Sequence, residues 1–244
     1  MIGWTLAVLR LLGAVVWLIL IAPVVILSAL LSLGSRGRLA RNGARVHFVW
    51  STVLCWLFGL RIRVEGPRPP GGAFIASNHL THFDIPVLAS RQPMQFVAKA
   101  EISKWPLFGW LALLAGTIYV DRSARTATPQ VAAKMSGYLE HGATVVLFAE
   151  GTCGDGLKIL PFKASLFAVP AELARPTVPV AVRYQMPDSA WSSGDVNRIM
   201  AAMLRQPRTR VLVRFGAPIP AGADRKALAA ESQARVAALY DLKA

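Results

Sequence analysis

Acidic side chains are scarce in this chain. Thirteen Asp and Glu stand against 27 Lys and Arg in 244 residues, a formal net charge of +14. An excess of that sign points to nucleic acid, an anionic membrane surface or acidic substrates. The patterns that would select nucleic acid are missing: no helix-turn-helix, zinc-finger spacing or RNP-like aromatic motif occurs, so no nucleic-acid partner is expected. Cysteine is almost absent as well. Cys55 and Cys153 are the only two, too few for a disulfide framework, and their isolation fits a reducing cytoplasm. No cluster of His, Cys and carboxylates has ligand spacing along the chain, so neither a metal nor a resident cofactor is expected. No Gly-x-Ser-x-Gly occurs, which excludes the nucleophile elbow of a serine hydrolase. Internal repeats and long linkers are missing too.

Apolar residues are in excess, at 54% of the chain with mean hydropathy +0.45, above the usual share for a soluble domain. No charge falls between Leu11 and Gly34, a run long enough to cross a bilayer core, which takes about 20 residues. Pro23 interrupts it and leaves two forms open, a kinked span or a helical hairpin sunk in one leaflet. A cleaved signal peptide fits poorly, because the run exceeds an apolar region of about 7–15 residues and no small-residue cleavage site leads into a polar start. Arg36, Arg38, Arg41 and Arg45 follow the run, against Arg10 before it, and that bias places the bulk of the chain on the cytoplasmic side. Val46 to Leu60 carries Phe48, Trp50, Trp56 and Phe58. It is too short to span and reads as interfacial or as packing on the first segment. Residues 1–60 are therefore expected to anchor the chain to membrane lipid, and residues 61–244 to form one domain.

That domain reads as α/β. Apolar strand candidates at 61–65, 73–77, 95–98, 117–121, 144–149, 178–184 and 211–215 alternate with helical stretches at 86–91, 103–114, 129–140, 164–173, 196–204 and 224–242. Such alternation predicts a largely parallel sheet covered on both faces. At the end of the second strand stands Asn78-His79-Leu80-Thr81-His82-Phe83-Asp84. A histidine provides a base of near-neutral pKa, and an aspartate can fix its tautomer. On a regular helix residues five apart would point about 140° away from each other, so the two meet only if the chain turns between them. His79 then lies at a strand's carboxyl end, where open α/β sheets hold their ligands.

Three further segments follow in order: Gly116-Thr117-Ile118-Tyr119-Val120-Asp121-Arg122, Phe148-Ala149-Glu150-Gly151-Thr152, and Val178-Pro179-Val180. With the first they resemble the four ordered blocks of the glycerophospholipid (lysophosphatidate-type) acyltransferase family, over roughly residues 60–185. The resemblance implies a membrane-bound O-acyltransferase at the cytoplasmic face of a bacterial inner membrane. It would move a fatty acyl group from acyl-CoA or acyl-carrier protein to the free hydroxyl of a lysolipid, with no cofactor. It gives His79 the role of general base on the acceptor hydroxyl and Asp84 that of its orienter, as in a triad whose hydroxyl comes from the substrate. Asn78 would orient the turn, Lys99 would support the thioester oxyanion or a phosphate of the donor, and Arg122 would hold an anionic headgroup. Gly116, Glu150, Gly151, Thr152 and Lys163 complete the expected substrate-binding set, while His82 reads as structural or rim.

The third block departs from the family pattern. Ala149 stands where proline is usual, and Cys153-Gly154-Asp155-Gly156 follows Thr152 in place of an arginine-serine pair. Losing that cation removes a charge-assisted contact to an acceptor's phosphate, worth about 1.5–3 kcal/mol where such bonds form. With Leu160-Pro161-Phe162-Lys163 after it, the block is similar to that of lyso-ornithine-lipid acyltransferases, whose acceptor carries a carboxylate. Leu107, Phe108, Trp110 and Leu111 are candidates for the acyl chain's wall or for membrane contact, although their helical spacing fits a buried core better.

Overall fold

A computed structural model describes residues 2–120, 129–186, 191, 195–220 and 224–241. Two long helices open it, α1 (Ile2–Leu31) and α2 (Arg36–Leu57), joined by a tight turn. Gly34 supplies the left-handed residue the turn requires (φ +71°). Ser35 then caps α2, accepting the Arg38 N–H at 3.2 Å. The buried stripe of α2 includes Gly37, Ala40, Gly43, Ala44, His47, Ser51 and Leu54, a run at helical spacing dominated by small residues. Those residues let α2 lie close to the domain: a Cβ at Gly43 would collide with the Ala115 carbonyl oxygen.

Seven strands among the described residues form one sheet: β1 (Leu60–Glu65), β2 (Phe74–Ser77), β3 (Gln95–Lys99), β4 (Ile118–Val120), β5 (Val145–Phe148), β6 (Thr177–Gln185) and β7 (Thr209–Phe215). Their order is β1-β7-β6-β2-β5-β3-β4. Every pair is parallel except β6 with β7. The central strands β2 and β5 are buried at every position, which explains why their sequences run apolar without alternation. Helices α3 (Asp84–Ala89), α4 (Phe108–Leu114), α5 (Pro129–Glu140), α6 (Ala168–Glu172), α7 (Val196–Arg205) and α8 (Arg225–Asp241) cover it. Because β2, β3, β5 and β6 run the same way, their carboxyl ends share one edge of the sheet.

Two expected helices are interrupted. The stretch expected at 103–114 is a 3-10 turn, Ala100–Lys104, followed by α4. Pro106 cannot donate a helical hydrogen bond, and Leu107 takes a positive φ of 60° between them. The stretch expected at 164–173 likewise splits into a 3-10 turn, Ala164–Phe167, and α6. The core reading of the 107–111 stretch is also overturned in part: Trp110 is 70% exposed and Leu107 39%, whereas Leu111 is buried.

Helix α1 is long and apolar enough to cross a membrane by length and composition, yet it lies along the domain. Near its start the buried Arg10 donates to the carbonyl oxygens of Leu204, Gln206 and Pro207 at 2.8, 2.6 and 2.9 Å, closing the carboxyl end of α7. Arg205 in turn stacks on Trp4, 4.6 Å from the ring centre. Near its other end Ile21 and Val25 pack with Val46, Leu111 and Ala115. Pro23 lies inside α1 without ending it, and the chain turns back only after Leu31, so α1 and α2 together form a helical hairpin. Its outer face presents an unbroken apolar strip, including Leu12, Val16, Leu20, Leu27 and Leu31.

Candidate active site

The turn after β2 is built by side chains gripping backbone. Asn78 continues the sheet where the backbone pulls away. Its amide donates to Val182 O at 2.9 Å and accepts from Val182 N–H at 2.8 Å. Asp84 opens α3, and its Oδ2 accepts the Leu80 N–H (2.6 Å), the Thr81 N–H (3.0 Å) and His79 Nδ1 (2.8 Å). Thr81 Oγ1 accepts the Phe83 N–H at 3.0 Å. These bonds fold the five-residue interval back on itself, so His79 meets Asp84 although no helix could bring them together. The other oxygen, Oδ1, accepts the hydroxyl of Tyr184 at 2.7 Å. Asp84 is fully buried, and four donors at a helix amino terminus hold its carboxylate.

Glu150 grips the same turn from β5. Its Oε2 accepts the His79 N–H at 2.8 Å and its Oε1 the Leu160 N–H at 2.8 Å. Burial disfavours its charge and pushes its pKa up to about 7, against those two backbone donors. Gly151 follows with φ +76°, and the Lys163 side chain lies across it where a Cβ would stand. The His79 ring stacks on Phe148 with centroids 4.2 Å apart. For His79 itself, burial works against the imidazolium. The hydrogen bonds to Asp84 and Cys153 and their attraction outweigh burial and raise the pKa to about 9. With Nδ1 committed to Asp84, Nε2 is the nitrogen left for chemistry.

A cavity of about 400 Å³ opens beside His79, with Lys99, Phe148, Thr152 and Cys153 on its wall and Asp195 at the amino end of α7. A second, almost wholly apolar cavity of about 50 Å³ adjoins it, sharing Ile85, Ala98 and Ile102 in its wall, and is lined by Trp50, Phe108 and Leu111 beneath the hairpin. Of the expected site residues, His79, Asp84, Lys99, Glu150, Gly151, Thr152 and Lys163 gather at one edge of the sheet. Asn78 lies beneath them as a structural clamp. Gly116 stands apart, at the amino end of β4, where φ +90° is needed and its carbonyl accepts the Tyr138 hydroxyl at 2.9 Å. Arg122 lies outside the described residues.

Tyr184 escaped sequence reasoning: it stands near the end of an apolar strand on the same face as Val180 and Val182, and that placement was the only signal it gave. Cys153, read as a departure in the third block, and His82, read as structural or rim, are both set beside His79 by the fold. His82 is half-buried, its ring edge-on to those of His79 and Trp105. Its pKa is lowered, chiefly by burial.

At this one edge a buried histidine is bonded to a buried carboxylate, with a lysine on the wall of the same cavity. The model of the acyltransferase family matches residues 61–183. The chain belongs to the acyltransferase family. It is 36% identical to the lyso-ornithine lipid O-acyltransferase of Brucella abortus, over 82% of this chain and 84% of that one. It is 34% identical to that of Rhizobium meliloti, over 88% and 78%. The 1-acyl-sn-glycerol-3-phosphate acyltransferase of Neisseria meningitidis is 31% identical over 59% of this chain and 57% of its own. In fold, the acyltransferase superposes on the crystal structure of the 1-acyl-sn-glycerophosphate acyltransferase of Thermotoga maritima. The TM-score is 0.71 with 98% of this chain and 95% of that one covered, at 18% identity.

Proposed function

We propose that this acyltransferase moves a fatty acyl group from a thioester, acyl-CoA or acyl-carrier protein, to the free hydroxyl of a lyso-ornithine lipid at the cytoplasmic face of a bacterial inner membrane. The observation that carries the reading is the His79–Asp84 pair, bonded at 2.8 Å and facing an open cavity. An unactivated hydroxyl is a poor nucleophile unless its proton leaves as it attacks. His79 Nε2 takes that proton while the hydroxyl oxygen bonds to the thioester carbonyl. Asp84 and Tyr184 hold the imidazole ring and favour the imidazolium that forms. As the carbon–sulfur bond breaks, the same proton passes to the leaving thiolate, so the residues end as they began. Lys99, at the carboxyl end of β3, faces the carbonyl oxygen as it gains charge. The narrow apolar cavity suits a single alkyl chain, with Phe108 and Leu111 as part of its wall.

Two observations support the aminolipid over a phosphate-bearing acceptor. Similarity to the lyso-ornithine lipid enzymes extends over most of the chain, and a thiol stands at Cys153 in place of a cation. Lysophosphatidate is the second reading, favoured by the two cations Lys99 and Lys163 at the same edge. The apolar outer strip of α1 and the arginines that begin α2 support seating of the hairpin in an anionic leaflet. A detergent assay with labelled acyl-CoA and both lysolipids tests the choice. Preferential product from lyso-ornithine lipid is expected, and preferential product from lysophosphatidate overturns it.

A further inference from the structure

His82 and Cys153 take no part in the proposed transfer, yet both lie beside the ring that does. The ligand atoms of His79, His82 and Cys153 all lie within 4.8 Å of one another, on the wall of the larger cavity. The two histidines belong to one turn, braced by Asp84 and Thr81. Cys153 belongs to the loop after β5, and that loop is tied to the same turn because Gly154 N–H donates to His79 O at 2.7 Å. His79 Nδ1 is already bonded to Asp84. This is the carboxylate–imidazole arrangement that stands behind ligating histidines in metal sites, fixing the tautomer and leaving Nε2 to bind.

We propose that His79, His82 and Cys153 form a binding site for a divalent ion of the zinc class, and that its occupation stops acyl transfer by taking His79 Nε2. Two imidazole nitrogens and one thiolate are a donor set suited to Zn²⁺ and poorly suited to Mg²⁺ or Ca²⁺, which require oxygen. With bonds of about 2.0–2.1 Å to nitrogen and 2.3 Å to sulfur, tetrahedral neighbours stand roughly 3.3–3.6 Å apart. The three atoms must therefore close by about 1.2–1.5 Å at most, within reach of side-chain rotation at the half-buried His82 and Cys153. The fourth position opens on the cavity, where water completes the shell. Lys99 shares that cavity and repels a cation, while the Cys153 thiolate and the Asp84 carboxylate supply two compensating charges.

The site itself rests on geometry alone; its inhibitory effect rests on the role proposed for His79, and the experiment separates the two. The full chain in detergent, stripped with a chelator, is titrated with Co²⁺ as a spectroscopic probe. A thiolate-to-cobalt charge-transfer band saturating at one ion per chain and displaced by Zn²⁺ is expected. Cys153→Ser should abolish the band, and His82→Asn should weaken cobalt binding at least tenfold. In unaltered protein, Zn²⁺ should slow alkylation of Cys153, a readout that needs no variant to fold. Zn²⁺ should also inhibit transfer reversibly, with an inhibition constant at least tenfold higher in either variant, each measured against its own chelated activity. Absence of the band, or its persistence in Cys153→Ser, overturns the site. A filled site with undiminished transfer overturns the block. Loss of all transfer in chelated protein, with the cobalt band intact, counts against the proposed function and leaves the site standing.

Discussion

At the scale of single residues, the proposed transfer turns on how firmly His79 holds a proton. Its pKa of about 9 lies above that of free imidazole because the charged form is hydrogen-bonded by Asp84 and Cys153 despite burial. A general base must be neutral to act, so raising the pH through that value should activate the enzyme. The acid limb of kcat/KM in chelator-treated protein is accordingly expected above 6.5 and toward 9. Asp84→Asn removes the group that raises it and presents the wrong hydrogen-bond partner to Nδ1. That variant should lose on the order of 10³–10⁴ in kcat, with its residual limb shifted to lower pH and its melting curve still cooperative. A limb at 6.5 in the unaltered enzyme would show that Asp84 does not control the imidazole. Both residues were legible from sequence, since a histidine and an aspartate at a strand end carry chemistry in their identity. Tyr184 was not, because a phenol ending an apolar strand looks like core until the 2.7 Å bond to Asp84 is seen.

At the scale of elements, the sheet positions the site, α2 packs closely on the domain through its small-residue stripe, and α1 is tied down near both ends. All seven strand positions were readable, β1 from apolar and charged residues in alternation and the inner strands from apolar runs bounded by turn residues. Strand order was not: nothing local says that β5 inserts between β2 and β3. The interrupted helices show where periodicity misleads. Pro106 and Leu107 break an apolar pattern that continues on either side. Gly116 shows the limit of a motif, since its position serves a left-handed turn rather than the cavity edge. Arg10 is the sharpest test of the hairpin's attachment. It satisfies three carbonyl oxygens at and beyond the carboxyl end of α7, and an arginine just before an apolar run reads in sequence as an ordinary flanking charge. Arg10→Met should lower unfolding stability by about 2–3 kcal/mol, since buried acceptors lose a charged donor. Thermal denaturation in detergent checks this, and an unchanged melting temperature would mean that the contact carries no stability.

At the scale of the whole molecule, the proposed membrane contact and the candidate site lie on opposite sides of α1. The inner face of the hairpin closes the narrow cavity through Val46, Trp50 and Ile21, while the outer face of α1 is apolar and exposed. Composition alone announced an apolar segment but could not say how it meets the domain. That lies in tertiary contacts at both ends of α1. Replacing Leu12, Val16 and Leu20 together by Glu should release the protein from vesicles containing anionic lipid. Turnover of a short-chain, soluble lysolipid should stay within about threefold, because none of the three lines either cavity. Flotation with vesicles reads the first effect and a micelle-free assay the second; continued flotation of the triple variant would place the membrane contact elsewhere.

The central claim is that His79 takes the proton from an acceptor hydroxyl. Single-turnover transfer of a labelled acyl group from acyl-CoA to lyso-ornithine lipid, by unaltered protein and by His79→Ala side by side, tests it most directly. A loss of at least 10²–10⁴ in the chemical step with unchanged binding of the acyl donor is expected. Transfer by His79→Ala at the rate of the unaltered protein would contradict it.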